Sequence, residues 1–373
     1  MVLSIPLVAT GWLTGAGAPA MASAPSCKNW TGNQPPDPGS NLNSLHGVAV
    51  ESACDAWAVG EERGTDNKAK TLIEHWNGSS WKVVASPDPG ADQNLLASVR
   101  GTSPTNIWAV GTSINGTVAN ALIVHWNGHA WKQVSSPDPG SAFSTLKGVR
   151  AVSATDAWAV GDDGSSTTEL QTLIMAWNGH AWRKVQIPDL GPESELTSVA
   201  ATSGRDVWAV GDSVTNSTAN TVILHWNGRK WRHVASPDPG SFNELDAVAA
   251  TSPTNAWAVG DSSEGKSPKH TLILHWNGRK WSHVASPNAG GPAMGNVLDG
   301  VTATSATNAW TVGSFGNSNL ILRWNGARWA RVPSPDIGRD ELLAVAASSA
   351  SNAWAVGDFS DMGVNGALAV HCC

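Results

Sequence analysis

The chain has no tyrosine, four phenylalanines and four cysteines, and only 14% of its 373 residues are charged. Each shortage excludes something. With no tyrosine, glycoside cleavage through a Tyr nucleophile is ruled out. No run of Lys or Arg exceeds two residues and the net charge is -7, so no nucleic acid or anionic membrane partner is expected, because both need a basic footprint. Beyond residue 26 nothing approaches the ~20 apolar residues of a membrane span, so no transmembrane segment is expected. The cysteines lack the paired CxxC spacing of a metal site, and neither a metal nor a cofactor is expected. Helices need periodic runs of Ala, Leu, Glu and Lys, which are scarce here. What the chain has instead is 21 Trp, 38 Gly and 21 Pro, a mix that favours short strands joined by many turns.

Residues 1–26 carry no charge and run from an apolar segment into small residues, with Ala20-Met21-Ala22 as a cleavage site. They read as a secretory signal peptide, which places the protein outside the cell. The basic n-region is missing, which would fit a start further upstream, and the rival reading is a buried first strand. Pro25 stands where a lipobox before Cys27 needs a small residue, so no lipid anchor is expected. Residues 27–373 read as one domain.

A Trp within AWAVG-type segments recurs at Trp57, Trp108, Trp158, Trp208, Trp257, Trp310 and Trp354, at spacings of 51, 50, 50, 49, 53 and 44. That is seven copies of a unit of about 50 residues. Each splits into four short apolar runs, in the second copy LASVRG, IWAVG, ALIVHW and WKQVSSP, and a four-stranded sheet of this size cannot bury both faces alone. Asn-Gly, the strongest short hairpin signal, begins at Asn77, Asn127, Asn178, Asn227, Asn277 and Asn325 and joins the third and fourth strands. Two further Asn-Gly pairs, at Asn115 and Asn365, fall in variable inserts outside this register. Trp76 is expected diagonal to Trp81 across the hairpin. The Asp or Asn two residues before each AWAVG Trp, as in Asp55 and Asn255, is expected to cap the turn between the first and second strands.

Alternation along Ala56-Trp57-Ala58-Val59-Gly60 puts Trp57 and Val59 on one face and the small residues on the other. The bulky face of one sheet then fits the small face of the next. At ~25 cal/mol/Å² and 150 to 250 Å² per indole, each such Trp contributes on the order of 4 to 6 kcal/mol as an upper bound.

The ends complete the argument. Ala367 to Cys373 aligns with the third strand, Thr71 to Asn77, and stops before the fourth; Trp30 to Gly39 matches Trp81 to Gly90 at its Trp and PDPG. The N-terminus therefore supplies the strand that the C-terminus lacks, whereas an open solenoid would need polar capping units. These residues resemble secreted seven-bladed β-propellers built from Trp-rich repeats of kelch-like length and closed by strand exchange between the termini. The resemblance spans residues 28–373 and implies an all-β fold, a seven-bladed β-propeller of four-stranded antiparallel blades. The kelch di-glycine signature and the sialidase Asp-box are both absent, so no family's active site transfers.

In this register Cys373 falls on the Asn of the Asn-Gly turn and Cys27 on its Gly, which makes a disulfide from Cys27 to Cys372 or Cys373 a bridge across the closure. Cys54, in the turn of the neighbouring blade, is the candidate for a second bridge.

What repeats is scaffold, so function is sought in what varies. The inserts Glu61–Lys70, Thr112–Asn120, Asp162–Glu169, Asp212–Asn220 and Asp261–His270 differ between copies. So does one first-strand register: His46, Ala97, Lys147, Thr197, Asp246, Asp299 and Leu343. Within it His46, Lys147, Thr197, Asp246 and Asp299 form a candidate ligand-binding ring at the channel mouth, the alternative being a solvated channel lining. His75, His125, His225, His275 and His371 recur at one strand position. A catalytic His need occur only once, so these are expected to be structural. No catalytic residues are assigned, and Asp162 beside Asp163 does not provide opposed carboxyls. The function expected is recognition of an extracellular glycan or other surface ligand, then a protein-interaction scaffold, then a glycosidase or lyase-type enzyme.

Overall fold

The computed structural model describes residues 29–373 apart from 138–141, 166–169, 192, 336–337 and 362. The expected signal segment and Cys27 lie outside the described residues. The fold is all-β and propeller-like, made of repeated four-stranded antiparallel blades. One unit shows the pattern. Phe242–Ser252, Asn255–Ser263, His270–Trp276 and Trp281–His283 pair antiparallel in chain order. In the last unit Arg339–Ser349, Asn352–Asp361 and Val364–Cys372 pair likewise, and the fourth strand is Thr31–Gly32, antiparallel to Val364–Cys372. First strands of successive units lie side by side, and Arg339–Ser349 lies beside Leu42–Ser52.

The alternation read along each second strand sets the packing. Trp57 and Val59 share a buried cluster with Ile107, Ala109 and Trp131 of the next unit. Trp354 and Val356 of the last unit pack on Ala56, Ala58, Trp76 and Trp81 of the first. Trp208 and Trp310 are 1% and 0% exposed, and fourth-strand indoles meet second-strand indoles edge to face, as in Trp208 with Trp281 at 5.2 Å and 89°. Trp30 makes the same contact with Trp310, at 5.5 Å and 87°. Such aromatic pairs add to the stabilisation from area burial alone.

Three local expectations change. Trp76 lies directly opposite Trp81 rather than diagonal to it, with ring centroids 5.9 Å apart. The turn between first and second strands is capped by Ser, not by the Asp or Asn: Ser153 Oγ accepts from the Thr155 amide at 3.2 Å, and Ser252 Oγ from Thr254 at 3.3 Å. Two of the inserts are largely ladder rather than loop, whereas Glu61–Lys70 and Asp261–His270 pair only at their ends. Asp206–Thr215 and Thr218–Trp226 turn through Asn216 and Ser217 at φ 51° and 63°, and Asn106–Asn115 reaches Val118–Trp126 through Gly116 at φ 60°. Part of the insert at Asp162–Glu169 falls outside the described residues.

The SPDP segments after each fourth strand carry a further device. Asp88 Oδ1 accepts from the Thr71 amide at 2.7 Å and from its hydroxyl at 3.0 Å. Asp37 accepts from the Ala367 amide at 2.7 Å, so the N-terminal segment grips the last unit as the segments of Asp88, Asp238 and Asn288 grip theirs.

Candidate functional site

The first strands do not run straight. In every unit the pairing with the second strand slips twice, and the first slip falls between Leu45 and Gly47, Leu96 and Ser98, Leu146 and Gly148, Leu196 and Ser198. The same slip falls between Leu245 and Ala247, Leu298 and Gly300, and Leu342 and Ala344. The skipped residues are His46, Ala97, Lys147, Thr197, Asp246, Asp299 and Leu343. A β-bulge of this kind leaves its extra residue unpaired and re-aims its side chain. It also explains a spacing the strand period does not allow. Leu45 and Val48 are three apart, yet both are 0% exposed and in one cluster.

All seven bulge residues line one cavity of about 370 Å³ between the first strands. The structure thus brings His46, Lys147, Thr197, Asp246 and Asp299 together around a common space. Their surroundings differ. Lys147 Nζ lies 3.0 Å from Asp162 and 2.5 Å from Glu195; burial lowers its pKa, but the two carboxylates outweigh that and raise it. Thr197 donates its hydroxyl to the Leu245 carbonyl at 2.5 Å, tying neighbouring first strands together. Burial pushes the His46 imidazole down despite Glu61 and Asp358, which keeps it neutral at pH 7.

Asp246 and Asp299 stand apart from these. Neither has a hydrogen bond or ion pair with any described residue, and Asp246 Oδ2 is buried without a partner. The nearby Lys269 is already engaged, 2.9 Å from Glu244 and 3.0 Å from Asp261. Burial, then Asp299 and Asp261, hold the Asp246 carboxyl well above its ordinary range. Burial and Glu341 raise Asp299 to about 7. The far end of the cavity is lined by Glu51, Arg100 and Arg150. There Arg100 donates to the Val99 carbonyl at 3.0 Å and to the Val48 carbonyl, and Arg150 donates to Ala201 at 3.3 Å.

The propeller-like frame has counterparts among solved structures. They share the fold alone. YCF48 bound to D1 peptide superposes with a TM-score of 0.59 at 14% identity, covering 93% of this chain and 100% of that one. A PL25 ulvan lyase, bound to a saccharide of GlcA(1-4)Rha3S, gives 0.53 at 10% identity over 92% of this chain and 95% of that one. The GH74 xyloglucanase of Xanthomonas campestris gives 0.54 at 14% identity, over 88% of this chain and 53% of the enzyme. No family model matches the chain, and no curated protein does.

The recurrent histidines do structural work of a defined kind. His225 Nε2 donates to Asp206 at 2.7 Å while its ring stacks on Trp208, centroids 4.1 Å apart. Where Asn replaces Asp, its amide donates to a neighbouring hydroxyl, as Asn255 does to Thr251 at 2.7 Å, leaving its oxygen to accept from His275 at 2.8 Å. Arg323 fills the same place in its unit, 3.0 Å from Asn308 and over the Trp310 ring. The Asp or Asn expected to cap a turn is therefore the partner of the third-strand His. Asp162 and Asp163 point to opposite faces, towards Lys147 and Lys184, and form no acid–base pair.

At the seam, Cys372 is disulfide-bonded and fully buried. It takes the strand position of Trp76, opposite Trp30. Cys54 and Cys373 are free and exposed, so the expected bridge from Cys54 is not formed. Its own hairpin is unbroken, and its side chain lies against Gly78, where four other units use Thr and one uses Arg205. Among the described residues, no group of three or more His, Cys, Asp or Glu is placed to hold a metal ion, and no helix is long and apolar enough to cross a membrane.

Proposed function

We propose that the chain is a secreted recognition module, a seven-bladed propeller of kelch-like repeat length closed by its N-terminal strand, that binds a glycan or other surface ligand at the central cavity. The observation that carries this reading is the bulge register. At the first bulge each unit re-aims one residue into the cavity, and the chemistry of that residue changes from unit to unit while the surrounding Trp, His and Gly frame repeats. Closure is supported by the packing of Trp354 on Ala56 and Ala58; secretion by the uncharged apolar segment at residues 1–26.

A second reading, a protein or peptide ligand, is kept by one observation. Among the described residues no Trp or Phe lines the cavity, so it has no stacking platform of the kind that Trp supplies to sugars. YCF48, whose structure holds a peptide, and the ulvan lyase, whose structure holds a saccharide, both share the fold. The test is a cavity-filling variant, Ala97→Trp, screened with the wild type on glycan and peptide arrays. Ligands lost on filling the cavity support the site. Binding that survives Ala97→Trp overturns it, and degradation of a polysaccharide by the wild type replaces recognition with catalysis.

A further inference from the structure

The acid side of the cavity narrows what it accepts. Asp246 and Asp299 occupy the same bulge on adjacent first strands and line one space. A buried carboxyl is normally satisfied by hydrogen bonds or an opposite charge. Asp246 Oδ2 is buried without a partner and the half-buried Asp299 beside it has none among the described residues, and the reason lies in their neighbours. The cation within reach, Lys269, is taken by Glu244 and Asp261, and Glu341 adds a further negative charge beside Asp299. On the other side of the ring Lys147 is neutralised by Asp162 and Glu195, so it does not compete for the pair.

We propose that the Asp246–Asp299 side of the cavity binds an organic cation, the ammonium or guanidinium group of a larger ligand. This rests on the reading of the cavity as the ligand site and names the chemistry it recognises. Such a group brings both things the site lacks, a positive charge and N–H donors, and charge-assisted hydrogen bonds of this kind are about twice as strong as neutral ones. A guanidinium matches a pair of carboxyls in plane, and an ammonium matches them as a point charge. A bare metal ion fits less well, since no third acidic, His or Cys ligand is placed with the pair among the described residues.

Proton linkage follows from the same geometry. With Asp299 raised to about 7 and Asp246 higher still than its ordinary range, the empty site holds protons at neutral pH. A bound cation favours the ionised carboxyls, so it displaces protons to solvent, and affinity rises as pH is raised through 7.

The experiment is titration calorimetry of the full chain with N-acetyl-arginine amide, N-acetyl-lysine amide and a glucosamine tetramer. N-acetyl-citrulline amide and an N-acetylglucosamine tetramer serve as neutral counterparts. At pH 8 for the arginine and lysine amides, and at pH 6.5 for the glucosamine tetramer, whose amines lose their protons above that, at least one cation is expected to bind roughly tenfold or more tightly than its neutral counterpart; the two amides are expected to weaken at pH 5.5 and to release protons in proportion to buffer ionisation heat. Which of the three binds separates a peptide source from an amino-sugar source. Asp246→Asn with Asp299→Asn is expected to cost about tenfold or more; removing two like charges leaves the fold at least as stable, which its melting curve checks. Equal binding of arginine and citrulline, no cation binding at all, or affinity unchanged in the double variant overturns the inference. A neutral ligand lost in Ala97→Trp but retained in the double variant sinks the cation and spares the cavity. Binding retained in Ala97→Trp sinks both.

Discussion

A methyl group on Gly260 would stand 2.1 Å from the carbonyl oxygen of Glu244. The two residues flank the bulge: Gly260 pairs with Leu245, and Asp246 is the residue pushed out. The last residue of AWAVG is thus Gly because the bulged first strand passes too close for a Cβ, and the same clash recurs at Gly60, Gly111, Gly161, Gly211, Gly313 and Gly357. Gly260→Ala is therefore expected to force the first strand away and cost about 2 to 4 kcal/mol. Gly32→Ala, with nothing within 4 Å of its Cβ, is the control. Urea denaturation checks the pair; equal stability of the two variants would mean that the bulge tolerates a side chain.

Much of this was legible in one dimension. Trp spacing, Asn-Gly turns and the matching half-units at the ends specify the blade and its stacking, because large indoles, tight turns and small-face residues each admit few environments. The bulge was visible too, as Leu-x-x-Val, a spacing of three inside a strand of period two. What was not legible is where short polar side chains turn. Asp206 and Ser203 both flank the same turn, and only the third dimension shows that Ser203 caps it while Asp206 reaches His225. Nor does sequence show that Lys269 is already spent on Glu244 and Asp261, which is what leaves Asp246 unpaired.

The His–Asp–Trp stack predicts a separation of stability from binding. Burial opposes ionisation of Asp206, but hydrogen bonds from His225 and Thr202 outweigh it and hold the carboxyl below its ordinary range. Its stabilisation is present above the unfolded carboxylate pKa and is lost as pH falls through the lower folded value. Asp206→Ala is expected to cost about 1 to 3 kcal/mol at pH 7 and to leave cavity ligands unaffected. A lost ligand with unchanged melting temperature would reassign the residue to function.

The cysteines give a prediction at the seam. Cys27 is proposed as the partner of Cys372, since the two fall at the break between third and fourth strands of the last unit. Non-reducing peptide mapping is expected to recover Cys27 linked to Cys372, with Cys54 and Cys373 alkylated without reduction. A bridge closing nearly the whole chain stabilises by about 6 kcal/mol in the loop-entropy picture, so reduction is expected to lower the melting temperature. Recovery of Cys27 as a free thiol from secreted protein rejects the pairing.

Glu74 is the remaining buried anomaly. It is 0% exposed, neither carboxyl oxygen has a partner, and its counterparts in other units include Val124, Leu224 and Leu274. Val124 packs in one cluster with Ile73 and Val84 of the preceding unit, but the residues matching those two beside Glu74 are Ala369 and Asn33. The seam therefore holds a carboxyl where every other joint is apolar. Burial, with a smaller contribution from Asp37, raises its pKa to about 8. For a carboxyl raised on folding, stability is unaffected below the unfolded pKa near 4.5, declines as pH rises, and levels off above the folded value. Glu74→Leu is expected to gain roughly 3 kcal/mol or more at pH 8.5 and much less at pH 5, flattening the fall of urea midpoint between those two pH values. An unchanged slope in the variant would show that Glu74 finds a partner in solution and that the seam is not the joint weakened by rising pH.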